Sequence, residues 1–117
     1  MKGETPRKLQ VVFYRTSSGS EVVLDWLRGL EEGDRSAVGQ DLMRVQYRWP
    51  VGMPLCRPLG NGLWEVRTSL PSNRIARVLF CVNASTIIAL SGFIKKTQKT
   101  PDEELALARR RMKEFTS

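Results

Sequence analysis

Residues 63–95 read LWEVRTSLPSNRIARVLFCVNASTIIALSGFIK and contain three runs in which apolar and polar side chains alternate. The runs are Leu63–Leu70, Arg74–Val82 and Thr86–Lys95, and alternation over this length is typical of β-strands. The linkers PSN and NAS are short enough to join neighbouring strands as antiparallel hairpins. This stretch therefore predicts an antiparallel β-meander.

The chain before the meander begins with a predicted strand and a helix. Lys8–Arg15 (KLQVVFYR) is rich in Val and aromatic residues and is followed by the turn-forming sequence TSSGS, which favours a strand. After the turn the apolar period changes to that of a helix, with Val23, Leu27 and Leu30 on one side and Trp26 beside them.

A second helix is predicted after Gly33, with Asp34 as its N-cap. Its apolar side chains recur at intervals of four, three and four residues, and Pro50 ends it; they are Val38, Leu42, Val45 and Trp49. The two helices are expected to form an antiparallel hairpin that needs a further layer to cover it. The sequence PVGMPLCRPLGNG, residues 50–62, is expected to be a loop.

A C-terminal helix is predicted after the meander. Thr100 is expected to cap it, Pro101 to occupy its first position and Glu103 to complete a capping box. Its expected buried stripe is Leu105, Ala108, Met112 and Phe115. We therefore predict one α+β domain over residues 1–117: an N-terminal strand, a helical hairpin, an antiparallel meander and a C-terminal helix.

Composition restricts the chemistry of the chain. It has no histidine, which excludes Ser-His-Asp and Cys-His nucleophile systems and histidine zinc sites. Cys56 and Cys81 lie far apart, outside any metal or redox spacing, so we expect both to be buried and expect neither metal nor cofactor. With neither an apolar run long enough to span a bilayer nor a signal-like start, a cytoplasmic location is expected.

Positive charge is concentrated in one part of the chain. The net charge is +7, and residues 55–99 contribute +6 of it through seven basic residues and the acid Glu65. The basic residues are Arg57, Arg67, Arg74, Arg77, Lys95, Lys96 and Lys99. A cluster of this kind suits an anionic partner, since Arg and Lys both bind phosphate oxygens.

Strand alternation places Glu65 and Arg67 on one face of the first meander strand, and Arg77 interrupts an apolar row of the second. If Arg67 and Arg77 share a face, pairing brings them together, and the third strand adds Lys95 and Lys96 to form a cationic cleft for a phosphodiester. Alternatively this face is merely solvated, with a surface salt bridge from Glu65 to Arg67 or Arg77 that contributes roughly 0–1 kcal/mol.

Cleavage of RNA by its own 2′-hydroxyl needs a proton acceptor, a proton donor and cations for the charge that develops on phosphorus. A lysine crowded by Arg67 and Arg77 loses its proton more readily and is one candidate base, and Glu65 is the other. The arginines would stabilise the transition state. Tryptophans could stack on bases, but the spacing of Trp26, Trp49 and Trp64 favours packing in the core.

Three segments resemble a known family: WPVGMPLCRPLGNGLWEVRTSL, RIARVLFCV and LSGFIKKTQKTPDEELALARRRM. They are similar to the HigB-like, phage-derived branch of the RelE/ParE toxin superfamily, most specifically in GFIKKTQKTP, Gly92–Pro101. The resemblance implies a RelE-like fold and a toxin that cuts mRNA in the ribosomal A site. It also implies a cognate antitoxin, of helix-turn-helix type, encoded beside it.

By position, the resemblance assigns catalysis to Arg67, Arg77, Lys95 and Lys96. Glu65 remains a candidate base from its chemistry, and the other basic residues of the cluster, Arg57, Arg74 and Lys99, are predicted to bind RNA. The sequence lacks the C-terminal tyrosine or the histidines of some relatives, since Tyr14 and Tyr47 lie elsewhere. Two alternatives stay open. One is a non-enzymatic gyrase inhibitor of the ParE kind, and the other is a nucleic-acid-binding module that cuts nothing.

Overall fold

The computed structural model describes residues 8–95 and 99–116. Within them five strands and three helices follow in this order: β1 (Gln10–Phe13), α1 (Val22–Arg28), α2 (Glu32–Arg48), β2 (Cys56–Gly60), β3 (Leu63–Ser69), β4 (Ile75–Asn83), β5 (Thr86–Lys95) and α3 (Asp102–Thr116). The predicted α+β class is confirmed.

The strands form one mixed sheet in the order β1-β5-β4-β3-β2. All neighbours from β2 to β5 are antiparallel, which confirms the predicted meander. β1 pairs in parallel with β5, so that Gln10 lies beside Thr86 and Phe13 beside Ala89. Parallel neighbours need a long crossover. Here the crossover contains the helices α1 and α2 and the strands β2, β3 and β4.

Helices cover both faces of the sheet. On one face α1 packs against β5 and α2 packs against β3. The two helices contact mainly the sheet, whereas the helices of the predicted hairpin would pack mainly against each other. The larger core lies here and includes Val23, Leu27, Val38, Leu42, Val45, Val66, Val78 and Phe80. On the other face α3 closes a smaller core of Leu63, Leu79, Cys81, Ile88, Leu90 and Ala108.

The tryptophans belong to the larger core, as predicted. Trp26, Trp49 and Trp64 are each half-buried and pack against its apolar residues. The rings of Trp49 and Trp64 meet edge to face, with centroids 4.9 Å apart. Such pairs contribute beyond the apolar area that they bury. None of the three rings is therefore a freely presented stacking platform.

The predicted loop at residues 50–62 contains a strand, β2. Its Cys56–Gly60 pairs antiparallel with β3, and the register shifts between Pro58 and Gly60. Pro and Gly weaken strand interiors, which is why the sequence favoured a loop. β2 lies at an edge of the sheet, where a proline is tolerated because outward N–H groups need no partner.

α3 is held to the sheet by polar contacts as well as by its apolar stripe. Arg109 donates to the carbonyl oxygens of Leu59 and Gly60, and Arg111 donates to that of Leu90. Ala108 is buried, whereas Phe115, predicted to lie in the stripe, is 36% exposed near the end of the helix. In the described part of the chain no helix is long and apolar enough to cross a membrane.

Candidate functional site

Strand register brings the predicted site residues into rows. Arg67 on β3 is directly opposite Arg77 on β4, and Arg77 is in turn opposite Phe93 on β5. In the next row Arg57 faces Glu65 across β2 and β3. Directly paired residues share a face of a sheet. The condition on which the cationic cleft rested, a common face for Arg67 and Arg77, is therefore met.

Glu65 and Arg77 are both buried, with 0% and 1% of the side chain exposed. The guanidinium of Arg77 donates to Glu65 Oε2 at 2.7 Å. A surface salt bridge was the alternative considered from the sequence, and that alternative is wrong about the environment of this pair. Burial changes its energetics, because removing one partner leaves an uncompensated charge away from water.

Thr100 completes this buried cluster. Its hydroxyl donates to Glu65 Oε2 at 2.6 Å and accepts from Arg77 at 2.9 Å. Because this hydroxyl binds two residues of the sheet, it does not have the capping role predicted for it. Thr100 is 4% exposed, and α3 begins two residues later, at Asp102. The buried pair attracts the hydroxyl because a charged partner gives the stronger hydrogen bond. Thr100, which lies just before α3, is thereby held against β3 and β4.

An open cleft of about 460 Å³ lies beside this cluster. Half-buried Arg67 lines it together with Ser69 and Ile75 of the sheet. The opposite wall comes from α2 and from the segment before β2, through Asp41, Arg44, Pro54 and Leu55. Of the predicted catalytic residues with described side chains, Arg67 is the one that this cleft presents to solvent.

Asp41 and Arg44 were missed by the sequence reading. They form an ion pair three residues apart on α2, and Arg44 keeps 52% of its side chain exposed. Asp41 lies next to the apolar Leu42 and is itself buried. An acid and a base at helical spacing beside an apolar stripe usually indicate a solvated pair. Nothing in the sequence shows that this pair faces Arg67.

The other predicted cations are dispersed. Arg57 is exposed on β2, and Lys99 is 80% exposed in an ion pair with Asp102, 3.6 Å away. The backbone of Lys95 ends β5 opposite Ile75, at the cleft end of the sheet. Lys96 lies outside the described residues. The structure therefore places Lys95 beside the row of Arg67 and leaves the roles of both lysines as predictions.

Arg74, predicted to bind RNA, has a protein partner. Its guanidinium lies 3.1 Å from Asp34 Oδ2, and the same carboxylate accepts hydrogen bonds from the backbone and side chain of Ser72. Asp34 is therefore not the N-cap of α2, which begins at Glu32. Burial raises the pKa of Asp34, but the hydrogen bonds from Ser72 and Arg74 outweigh it, and the net pKa is lowered.

Comparison with known families gives a direct result. Residues 25–113 match the phage-derived Gp49-like protein family (DUF891), which is more than half of the chain. The chain belongs to this family. A search of curated proteins found no match. The Gp49-like family is a RelE-like toxin family of toxin–antitoxin systems, so the predicted phage-derived relationship is confirmed at family level.

Two side chains of this Gp49-like protein that could act as a base or a nucleophile, Tyr14 and Cys56, are engaged in its fold. Tyr14 is 6% exposed, and its hydroxyl donates to Glu114 at 2.7 Å beneath the end of α3. That hydrogen bond, with burial, raises the pKa of Tyr14. Burial and, to a smaller extent, the charge of Asp41 raise the pKa of the Cys56 thiol to about 12. Neither group has the free, deprotonated form that a nucleophile or base requires.

Residues 8–95 and 99–116 contain no group of three or more His, Cys, Asp or Glu side chains that could hold a metal ion. The cleft presents the guanidinium groups of Arg67 and Arg44, the second of which is paired with Asp41, and by chain position it lies near the lysines. Guanidinium groups bind phosphate oxygens through paired hydrogen bonds and stabilise negative charge that develops there.

Proposed function

We propose that this Gp49-like protein is the toxin of a type II toxin–antitoxin pair and a ribosome-dependent mRNA endonuclease of the HigB-like kind. One observation carries the proposal: Arg67 lines an open cleft at the end of the sheet where β5 delivers Lys95 and, next in the chain, Lys96. Family membership supports the toxin role, and the cleft supports a phosphodiester substrate.

The proposed reaction uses the substrate's own 2′-hydroxyl. Its oxygen bonds to phosphorus, the bond from phosphorus to the 5′-oxygen breaks, and a cyclic phosphate and a 5′-hydroxyl result. A base accepts the 2′-proton, an acid protonates the leaving oxygen, and Arg67 stabilises the charge on phosphorus. Because the ribosome positions the mRNA, a site with few catalytic groups can still accelerate this step.

Lys95 or Lys96 is a better candidate base than Glu65. The carboxylate of Glu65 has no exposed surface, and its Oε2 already accepts from Arg77 and Thr100. A general base must reach the proton that it abstracts, directly or through one water. Arg77 is equally buried and does not line the cleft, so in this conformation it does not contact the RNA.

The test is incubation of purified protein with ribosomes programmed by a labelled mRNA, beside the same mRNA without ribosomes. We expect cleavage only on ribosomes, with a loss of at least tenfold in rate for Arg67→Ala and for Lys95→Ala/Lys96→Ala. Arg110→Ala, an exposed arginine of α3, is the matched control and keeps the wild-type rate. Absence of cleavage by well-folded protein contradicts the proposal.

A second candidate function is nucleic-acid or gyrase binding without cleavage. It is favoured by the engagement of Tyr14 and Glu65 within the fold and by the ion pair of Arg44 with Asp41, the carboxylate that lines the cleft. Growth arrest with intact mRNA would identify it, and supercoiling by purified gyrase would separate gyrase inhibition from simple binding. Arg67→Ala, Lys95→Ala and Lys96→Ala would each retain toxicity if gyrase is the target.

The cognate antitoxin is part of the same proposal. Positive charge concentrated in residues 55–99 suits an acidic segment of the product of the adjacent gene. Co-expression and affinity capture of the tagged toxin test the pairing, and we expect a stable complex that suppresses toxicity. Failure of the adjacent gene product to bind contradicts the paired-toxin model without affecting the cleavage assay.

A further inference from the structure

The outward side of α2 carries a second depression, of about 330 Å³. It is lined by Gln40, Met43, Arg44, Tyr47 and Arg48, which we name the α2 face. Their spacing of three and four residues puts them on one side of the helix. The buried side of the same helix is formed by Val38, Leu42 and Val45, so the α2 face is not needed for the core.

Two large side chains of the α2 face are exposed without serving the core. Met43 is 52% exposed and Tyr47 is 55% exposed. The ammonium of Lys8 lies 5.5 Å from the centroid of the Tyr47 ring, within range of a cation–π interaction. An exposed aromatic ring among cations can stack on a planar group of a ligand that also carries negative charge.

Arg44 joins the α2 face to the cleft of Arg67. It lines both depressions, and it keeps half of its side chain exposed although it pairs with Asp41. Arg48 and Lys8 add further positive charge. Asp41 is the acid nearest along the helix, and its charge is offset by Arg44. The two depressions thus form one basic surface with an aromatic ring at its far end.

We propose that a single RNA strand binds along this surface, from the cleft of Arg67 across Arg44 to the α2 face. Phosphates contact Arg44 and Arg48, and one base stacks on Tyr47. A partner helix would match the exposed Met43, but the combination of cations with a half-exposed aromatic ring fits alternating phosphates and bases better. The identification of the strand as mRNA rests on the proposed function, whereas the binding surface does not require cleavage.

The test measures binding of wild-type protein to a fluorescein-labelled single-stranded RNA of roughly 12 nucleotides by anisotropy, without ribosomes. Tyr47→Ala is expected to weaken binding about tenfold, because stacking on one aromatic ring is lost, whereas Tyr47→Phe retains the wild-type affinity. Arg48→Ala is expected to lower the slope of log affinity against log salt by about 0.7, the value for one lost phosphate contact on a single strand.

Arg110→Ala again provides a matched control, since Arg110 is an exposed arginine on α3, which packs on the other face of the sheet from α2 and lines neither depression. The salt slope of this variant should equal that of the wild type. Unchanged affinity of Tyr47→Ala, or loss of affinity in Tyr47→Phe as well, overturns stacking on the α2 face. Equal slopes for wild type and Arg48→Ala overturn the phosphate contact. Each result stands whether or not mRNA is cleaved, so failure here is distinct from failure of the endonuclease proposal.

Discussion

The guanidinium of Arg77 and the carboxylate of Glu65 form a 2.7 Å ion pair in which neither side chain reaches solvent. Such a pair adds little net stability relative to apolar residues, but breaking it is costly. We expect Glu65→Ala to lower the free energy of unfolding by about 3–5 kcal/mol. Urea unfolding followed by tryptophan fluorescence measures this.

Arg67→Ala is the control, because Arg67 is the cross-strand neighbour of Arg77 and lies outside the pair. Its unfolding free energy should stay within about 1 kcal/mol of the wild type. Similar stability for Glu65→Ala and Arg67→Ala would contradict the buried pair. The buried pair also affects how activity is interpreted. Because Arg77→Ala destabilises the fold, a loss of cleavage in this variant does not by itself show that Arg77 takes part in catalysis. A catalytic role can be assigned only from variants that are as stable as the wild type.

Gly92 is a second position where stability depends on one contact. A Cβ atom placed there would lie 2.5 Å from Cε3 of the Trp26 ring. We therefore expect Gly92→Ala to lower the unfolding free energy by roughly 1–3 kcal/mol, since an extra methyl in a packed site forces its neighbours to move. The same substitution should cost less in a Trp26→Leu background. Additive effects of the two substitutions would show that the ring can move away freely.

The strand order shows what the sequence could and could not predict. The alternation in residues 63–95 correctly predicted β3, β4 and β5, and the apolar stripe with Val38 and Leu42 correctly predicted α2. The sequence did not predict β2, because Pro58 and Gly60 disfavour a strand and are tolerated only at the edge of a sheet. Long-range pairing is needed to see that position.

The same reason explains the partners that were assigned wrongly. Thr100 and Asp34 are good caps by local rules, yet the Thr100 hydroxyl binds Glu65 and Arg77, and Asp34 binds Ser72 and Arg74. Each partner lies at least 23 residues away in the chain. Alternation left open whether Arg67 and Arg77 share a face, because the faces of two strands match only in the correct register, and that register is seen in the pairing of β3 with β4.

Cys56 should make stability depend on alkaline pH. Its thiol pKa is raised from 9.0 to about 12 by burial and by the charge of Asp41, so the folded protein favours the neutral thiol. The resulting stabilisation is complete below pH 9 and is lost as pH rises from 9 towards about 12. We expect Cys56→Ala to show a smaller loss of stability over this range. Equal pH dependence in both proteins would contradict the assignment.

Asp34 should act in the opposite direction, at acid pH. Its pKa is lowered below 3.8 because the hydrogen bonds from Ser72 and Arg74 outweigh the effect of burial. The stabilisation is present above pH 3.8 and is lost as pH falls through the lowered pKa. Arg74→Ala is therefore expected to unfold at a higher pH than the wild type in an acid titration followed by circular dichroism.

Arg57→Ala is the matched variant for Arg74→Ala, because both arginines were predicted to bind RNA and Arg57 is exposed on β2. Its acid unfolding should follow the wild type, whereas coincident curves for all three proteins would contradict the role of the Asp34–Arg74 pair. Comparison of RNA affinity then has a clear meaning. Any loss in Arg57→Ala reports the contact with RNA, and a loss in Arg74→Ala also includes the effect on the β3–β4 turn.

Tyr14 tests whether the proposed endonuclease uses a phenol. The hydroxyl of Tyr14 donates a hydrogen bond to Glu114, and the ring lies 4.8 Å from the guanidinium of Arg111. The hydrogen bond to Glu114 and burial raise its pKa, so Tyr14 stays protonated at neutral pH and cannot accept the 2′-proton. We expect Tyr14→Phe to lower the melting temperature, because α3 loses a contact, and to leave ribosome-dependent cleavage within about twofold of the wild type, since the cleft of Arg67 is unaltered. A large loss of cleavage in Tyr14→Phe, at a temperature where the variant is folded, would instead make Tyr14 part of the machinery and require α3 to move during the reaction.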